Sequence, residues 1–157
     1  MIEGIGPSDF PAGGGRATSE RDAKREIVYA ERDGVWARGR EVLGCDLAIM
    51  GGAMTWVSER NLVAAISEAG GFGVIASGSM SPDLLASEIR ATQGITKRPF
   101  GVNLITLHPE LLELIDVCAD HGVGHVVLAG GLPSNAAVSR IKRSARLLLC
   151  TRRRLCA

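Results

Sequence analysis

From Leu43 onward, short apolar runs alternate with amphipathic stretches at a period of about 25 residues. The runs "CDLAIM" (45–50), "FGVIAS" (72–77), "FGVNLIT" (100–106), "GHVVLAGG" (124–131) and "RLLLC" (146–150) read as strands. They are continuous rather than alternating, the pattern of parallel strands covered on both faces. Helix signals lie between them. "SERNLVAAISEAG" offers Ser58 as N-cap, one face of Leu62, Ala65, Ile66 and Ala69, and Gly70 as a stop. "SPDLLASEIRATQG" has Ser81 as cap and Pro82 at the first helical position. "HPELLELIDVCADHG" is opened by Pro109 and closed by Gly122, and "SNAAVSRIKRS" predicts a fourth helix. The chain is thus an α/β protein, a parallel βα repeat of about five strands. An open doubly wound sheet or part of a (β/α)₈ TIM barrel would fit. A barrel typically needs about 250 residues, so this chain supplies roughly its first half.

Residues 1–34 break the pattern. "PAGGGRATSERD" reads as a flexible extension, with a short charged helix in "ERDAKREIVYAERD". The repeat domain is expected over 35–150. The end of the chain, 151–157, reads as a basic, aberrant tail: no Asp or Glu follows Asp120, while seven Arg and Lys residues do. No aromatic side chain is interleaved there to stack on bases, which argues against nucleic acid as a partner. An overall charge of +1 gives no reason to expect nucleic acid or an anionic membrane. Cys45, Cys118, Cys150 and Cys156 show no CxxC spacing, and no histidine stands at zinc-ligand distance, so no metal is expected. With no secretory h-region and no run of ~18 apolar residues, the sequence reads as a reduced, cytoplasmic protein.

The glycines separate by their place in the repeat. Gly71, Gly73 and Ala76 match the dinucleotide pattern GxGxxA, but a helix precedes them and a strand follows, the reverse of what a pyrophosphate site needs. They are read as helix stop and close packing. Gly51-Gly52, Asn103–Thr106 and Ala129–Gly131 instead end strands, at the edge where ligands bind in both architectures. Glycine admits a flat ligand to the backbone there, and an Asn amide both donates and accepts.

The segments "LAIMGGAMTWVSERNLVAAISEAGGFGVIASGSMSP", "KRPFGVNLITLHPELLELID" and "GVGHVVLAGGLPS", in this order, resemble the nitronate monooxygenase (2-nitropropane dioxygenase) family, whose pattern the flavin-dependent enoyl-ACP reductases share. The resemblance implies a TIM barrel holding FMN at its carboxyl face, and oxidation of alkyl nitronates by dioxygen to a carbonyl compound and nitrite. Its Gly-Gly-Met turn maps onto Gly52, Ala53, Met54 and Thr55, Ala53 being an extra residue in that motif. Its "FGVN" asparagine maps onto Asn103, and the Gly-rich strand end onto Gly130 and Gly131. The family's histidine follows an "AGG". None of His108, His121 or His125 does, so no catalytic residue is assigned. His108 reads as a capping or surface residue, and His125 as the amino end of a strand. The family's histidine and phosphate loops are expected beyond this chain, which looks truncated, and open sheet edges suggest self-association. The alternatives are the enoyl-ACP reductase branch and a non-catalytic βα fragment.

Overall fold

The computed structural model describes residues 34, 36–145 and 147–150, without the side chains of 147–150. The extension expected at 1–34 (apart from Gly34) and the tail expected at 151–157 lie outside the described residues. After a helical stretch at 36–43, the elements are α1 (Arg60–Glu68), β1 (Gly73–Ala76), α2 (Pro82–Ile95), β2 (Phe100–Ile105), α3 (Leu111–Asp120), β3 (His125–Ala129), α4 (Asn135–Ser144) and β4 (Leu147–Cys150). All strand pairs are parallel, in the order β1-β2-β3-β4. That order decides between the two architectures. A doubly wound sheet reverses its winding at a switch point and carries helices on both faces. Here each strand pairs with the next and each helix packs on the next, α1 on α2, α2 on α3 and α3 on α4. The helices share one face, and the fold is a partial (β/α)₈ barrel.

Burial corrects the expectation that both faces are covered. Val102 and Leu104 of β2, and Val126 and Leu128 of β3, are buried in one cluster with Ile75, Leu85, Ile89, Leu114, Ile115 and Ile141. Asn103, Ile105, Val127 and Ala129 alternate with them and are only half-buried. Successive residues of a strand point to opposite faces, so the second set lines the concave face. That face is covered chiefly at its amino end, by a small cluster of Leu43, Cys45, Phe72 and Val74, with Ala53 and Val127 against it. Burying a Leu or Ile side chain contributes about 1.5–3 kcal/mol, so the helix-facing layer dominates the stability.

Residues 45–50 do not form the expected first strand. They make one isolated parallel bridge, Met50 to Phe72, in which Phe72 N–H donates to Ile49 O and Gly51 N–H to Phe72 O, both at 2.9 Å. Among the described residues the segment is paired on one side, along residues 70–72, and Leu47, Ile49 and Met50 are exposed. Leu47 N–H also donates to Gly70 O at 2.8 Å, and no regular ladder extends from these bonds among the described residues. Four described strands and this bridge stand where about five strands were expected.

The helix boundaries follow local chemistry. Ser81 Oγ accepts from Leu84 N–H, with Pro82 opening α2, and Ser134 Oγ accepts from Ala137 N–H to cap α4. Gly70 follows α1 at φ 88°, the left-handed conformation that Gly adopts without a Cβ penalty. Two expectations fail. The cap of α1 is Glu59, whose carboxylate accepts from Asn61 and Leu62 N–H. Pro109 lies in a turn two residues ahead of α3 rather than opening it. His108 Nδ1 accepts from Glu110 N–H at 3.1 Å within the turn ahead of α3, whose N-cap position is Glu110 and carries no side-chain bond.

The buried face of α1 is also not the one expected. It is Val63, Ala64 and Ser67, while Ala65 and Ala69 are exposed. Small side chains let α1 lie directly on β1, and a Cβ at Gly73 would collide with the carbonyl of Val63. Ser67 Oγ accepts from Gly73 N–H at 3.2 Å and donates to Pro99 O at 3.1 Å, which ties helix, strand and the entry to β2 together. Ion pairs brace the helices from outside: buried Glu88 of α2 holds both Arg60 N–H and the Arg60 guanidinium, and Arg140 of α4 pairs with Asp116 of α3 through two bonds. Such a pair is worth most where one partner is buried, since leaving Glu88 alone would strand a charge.

Gly73→Ala should destabilise the chain by roughly 1–3 kcal/mol or more through backbone overpacking, read as a lower urea midpoint at unchanged m-value. Burial pushes the Cys118 thiol up to about 12 from 9.0. Between these values the unfolded chain loses a proton that the folded chain keeps. Stability should therefore fall as pH rises above 9, by about 1.4 kcal/mol per pH unit from this group. Urea titrations from pH 8.5 to 11 on the native chain and on Cys118→Ala should show the shallower decline in the variant.

Candidate functional site

Chain segments converge at the carboxyl ends of the strands. The first is the loop after Met50, and one buried hydroxyl shapes it. Ser58 Oγ accepts from Met54 N–H and donates to Gly52 O, each at 3.0 Å, while Ser58 N–H donates to Met54 O at 2.8 Å. This closes residues 52–58 into a compact turn. Ser58 O in turn accepts from Ala76 N–H at 3.1 Å, which docks the turn on the end of β1. Trp56 pays locally for the tightness: it sits at φ 64°, a left-handed conformation uncommon for a bulky residue. The second segment is Ser77-Gly78. Ser77 N–H and Oγ both donate to Asn103 O, at 3.2 and 2.6 Å. The third is the end of β2 with its turn, and the fourth is Gly130-Gly131 after β3.

The residues singled out in the sequence fall on this rim. Gly52 has open space where a side chain would be, and Gly130 adopts φ 92°. Ala53 packs against the concave-face cluster, and Met54 is about half exposed. Thr55, Gly78, Ile105, Gly130 and Gly131 form a chain of contacts. A Cβ at Gly78 would stand 3.2 Å from Ile105 Cγ1 and 3.7 Å from Thr55 Oγ1. One at Gly130 would stand 3.2 Å from Ile105 Cγ2, and one at Gly131 3.3 Å from Thr106 Oγ1. Asn103 lies in register with Ala76 and Val127 on the concave face. Its backbone oxygen is doubly held by Ser77, and no partner for its side-chain amide is found among the described residues.

Sequence reasoning missed two contributors. Ser58 was read as a helix cap, yet it shapes the turn; a Ser six residues after a glycine turn carries no local signature of that role. Ser77 reads in the sequence only as the last residue of a strand and Gly78 is not singled out there, yet the pair sits at a strand end like the other rim segments. Exposed apolar side chains surround the rim: Met54, Trp56, Leu107 and Leu132. His125 starts β3 at the opposite end of the sheet, where Nε2 lies 3.0 Å from Val42 O and the ring meets Phe72 edge-on. His121 closes α3 at that end as well. A cleft of about 570 Å³ opens there, lined by Gln93, Thr96, Lys97, Arg98 and His125 among others. It lies on the far side from the glycine-rich rim, and strand ends of this polarity are not where (β/α)₈ chemistry gathers. Among the described residues no group of His, Cys, Asp or Glu is placed to hold a metal ion.

The family model for nitronate monooxygenase matches residues 40–151. The chain is 28% identical over 109 residues to (3aS,4S,5R,7aS)-5-hydroxy-7a-methyl-1-oxo-octahydro-1H-indene-4-carboxyl-CoA dehydrogenase of Mycobacterium tuberculosis, covering 69% of this chain and 30% of that one. It is 37% identical over 68 residues to a nitronate monooxygenase of Paraburkholderia phytofirmans, covering 43% of this chain and 19% of that one. Among solved structures it is similar to FabK of Thermotoga maritima, with TM-score 0.69 and 34% identity over 72% of this chain and 36% of that one. The chain spans less than a third of the length of these two curated relatives.

Ser58→Ala should lower stability by about 1–3 kcal/mol, because the Met54 N–H then loses its partner. Thermal unfolding should register this loss, and chymotrypsin should cut the 52–57 turn faster in the variant than in the native chain.

Proposed function

The chain belongs to the nitronate monooxygenase family, and from that premise we propose that it binds FMN along its carboxyl rim and serves the oxidation of alkyl nitronates by dioxygen to a carbonyl compound and nitrite. The observation that carries the reading is Asn103. Its carbonyl is fixed by two donors from Ser77, while its amide has no partner among the described residues and stands on the concave face. An amide so placed fits a ring with alternating donors and acceptors. The glycines fit as well: Gly52 leaves open space, and side chains at Gly130 and Gly131 would fill the ground between β2 and β3. Gly52, Ala53, Met54 and Thr55 would hold one side of the flavin, Asn103 its polar edge, and Gly130 and Gly131 the other side. Bound there, FMN would supply redox chemistry that protein side chains lack. The chain's own part is to orient the ring and to shield it from water with the apolar rim. No histidine is assigned a catalytic role.

A second reading rests on that apolar rim. Met54, Trp56, Leu107 and Leu132 suit a substrate with a long or bulky apolar part, and one relative is named as a carboxyl-CoA dehydrogenase. This is the acyl-thioester, enoyl-reductase branch. Nitronate-dependent oxygen uptake supports the first reading; NADPH oxidation on adding an enoyl thioester supports the second. A non-catalytic βα fragment would do neither. The free Cys45 and Cys118 suit a reducing cytoplasm. No helix among the described residues is long and apolar enough to cross a membrane. The exposed edge at Leu47, Ile49 and Met50 suits self-association.

The full chain, loaded with FMN and passed through gel filtration, should retain a flavin absorbance band; colourless protein that cannot be reconstituted would overturn the proposal, and the elution volume reads its oligomeric state. Asn103→Ala should weaken FMN binding by about 1–3 kcal/mol in a fluorescence titration. Unchanged affinity would remove Asn103 from the site.

A further inference from the structure

We propose that Thr106 is a further cofactor-contact residue, whose hydroxyl hydrogen-bonds the ring or ribityl part of the bound flavin; this rests on the FMN reading above. Thr106 is the first residue past β2, and its N–H donates to Ala129 O at 2.8 Å, which pins it against the end of β3. The residue as a whole is partly exposed, yet Oγ1 is turned inward and buried. Among the described residues it is the one buried side-chain oxygen or nitrogen without a hydrogen-bond partner. Its surroundings are glycine backbone: Cβ atoms at Gly130 and Gly131 would stand 3.7 and 3.3 Å from it.

A threonine beside a turn usually satisfies its hydroxyl in water or on a nearby carbonyl. This one does neither, and a buried hydroxyl without a partner destabilises the chain that carries it. Valine has nearly the same shape and would avoid the penalty. The hydroxyl is explained if something seated on the rim completes its bonding. A hydroxyl both donates and accepts, which matches the carbonyl oxygens and ring N–H of a flavin and the hydroxyls of its ribityl chain. Thr106 therefore joins the rim from the floor, between Asn103 and the two glycines.

The test uses the full chain and its Thr106→Val and Thr106→Ser variants. Each is titrated with FMN and with riboflavin, and each is melted without flavin. Thr106→Val should bind both flavins about 3- to 10-fold more weakly, Thr106→Ser should bind close to the native chain, and flavin-free Thr106→Val should melt at the same temperature or higher. Equal affinity in Thr106→Val overturns the proposal, as does a lower melting temperature without flavin, which would mean the hydroxyl was already bonded. A loss seen with FMN and not with riboflavin overturns the ring or ribityl assignment. If the native chain binds neither flavin, the FMN reading itself falls, and this inference falls with it; binding by the native chain with no loss in Thr106→Val fails this inference alone.

Discussion

Parallel strands cannot be joined by a tight hairpin. Each return needs a crossover, and crossovers of one hand put successive helices on the same side. Everything else in this chain follows from that constraint. Four helices crowd the outer face and bury Ile75, Val102, Leu104, Val126 and Leu128. The inner face is left with Asn103, Ile105, Val127 and Ala129 half-buried. All strand-to-helix loops leave from one rim. Gly51-Gly52, Ser77-Gly78 and Gly130-Gly131 lie together on that rim because topology sends each strand-to-helix loop there.

The junction of α1 and β1 sets how closely the outer layer can approach. Gly73 and the small face of Ala64 and Ser67 bring the helix backbone onto the strand. Ser67 then bonds Gly73 and Pro99. At the other end of β1, Ser77 does the equivalent for Asn103 O, and Ser58 for the Gly52–Met54 turn. Three serines thus fix backbone geometry where the sheet meets its loops. Each is buried.

Much of the fold was legible because it is written in local signals. Ser81-Pro82, Ser134 and Gly70 mark helix ends through capping and backbone chemistry alone, and the structure places them as read. The misreadings share a cause. Leu62 and Ile66 are more hydrophobic than Ala64 and Ser67, yet close packing rewarded small size over hydrophobicity. Cys45–Met50 has strand-like composition, but a strand needs neighbours, and composition does not report them. Continuous apolar runs suggested two covered faces, whereas Val127, Ile105 and Ala129 are apolar on a face that is half open. On the rim, Asn103 and the glycines could be read from their place at strand ends. The Thr106 hydroxyl could not, since lacking a partner is a property of three-dimensional surroundings.

The helices differ in one respect with a bearing on the rim. The N-cap of α1 is an acid, Glu59, and α2 and α3 carry Asp83 and Glu113 in their first turns. α4 alone opens without one: Ser134 caps it, and Lys142 and Arg143 occupy its last turn. A helix start carries the equivalent of about half a positive charge, which nearby carboxylates offset. Among the four helices the N-cap and first turn of α4, which follows Gly130-Gly131, hold no such carboxylate. The start of α4 therefore keeps more of its positive end than the starts of α1, α2 and α3.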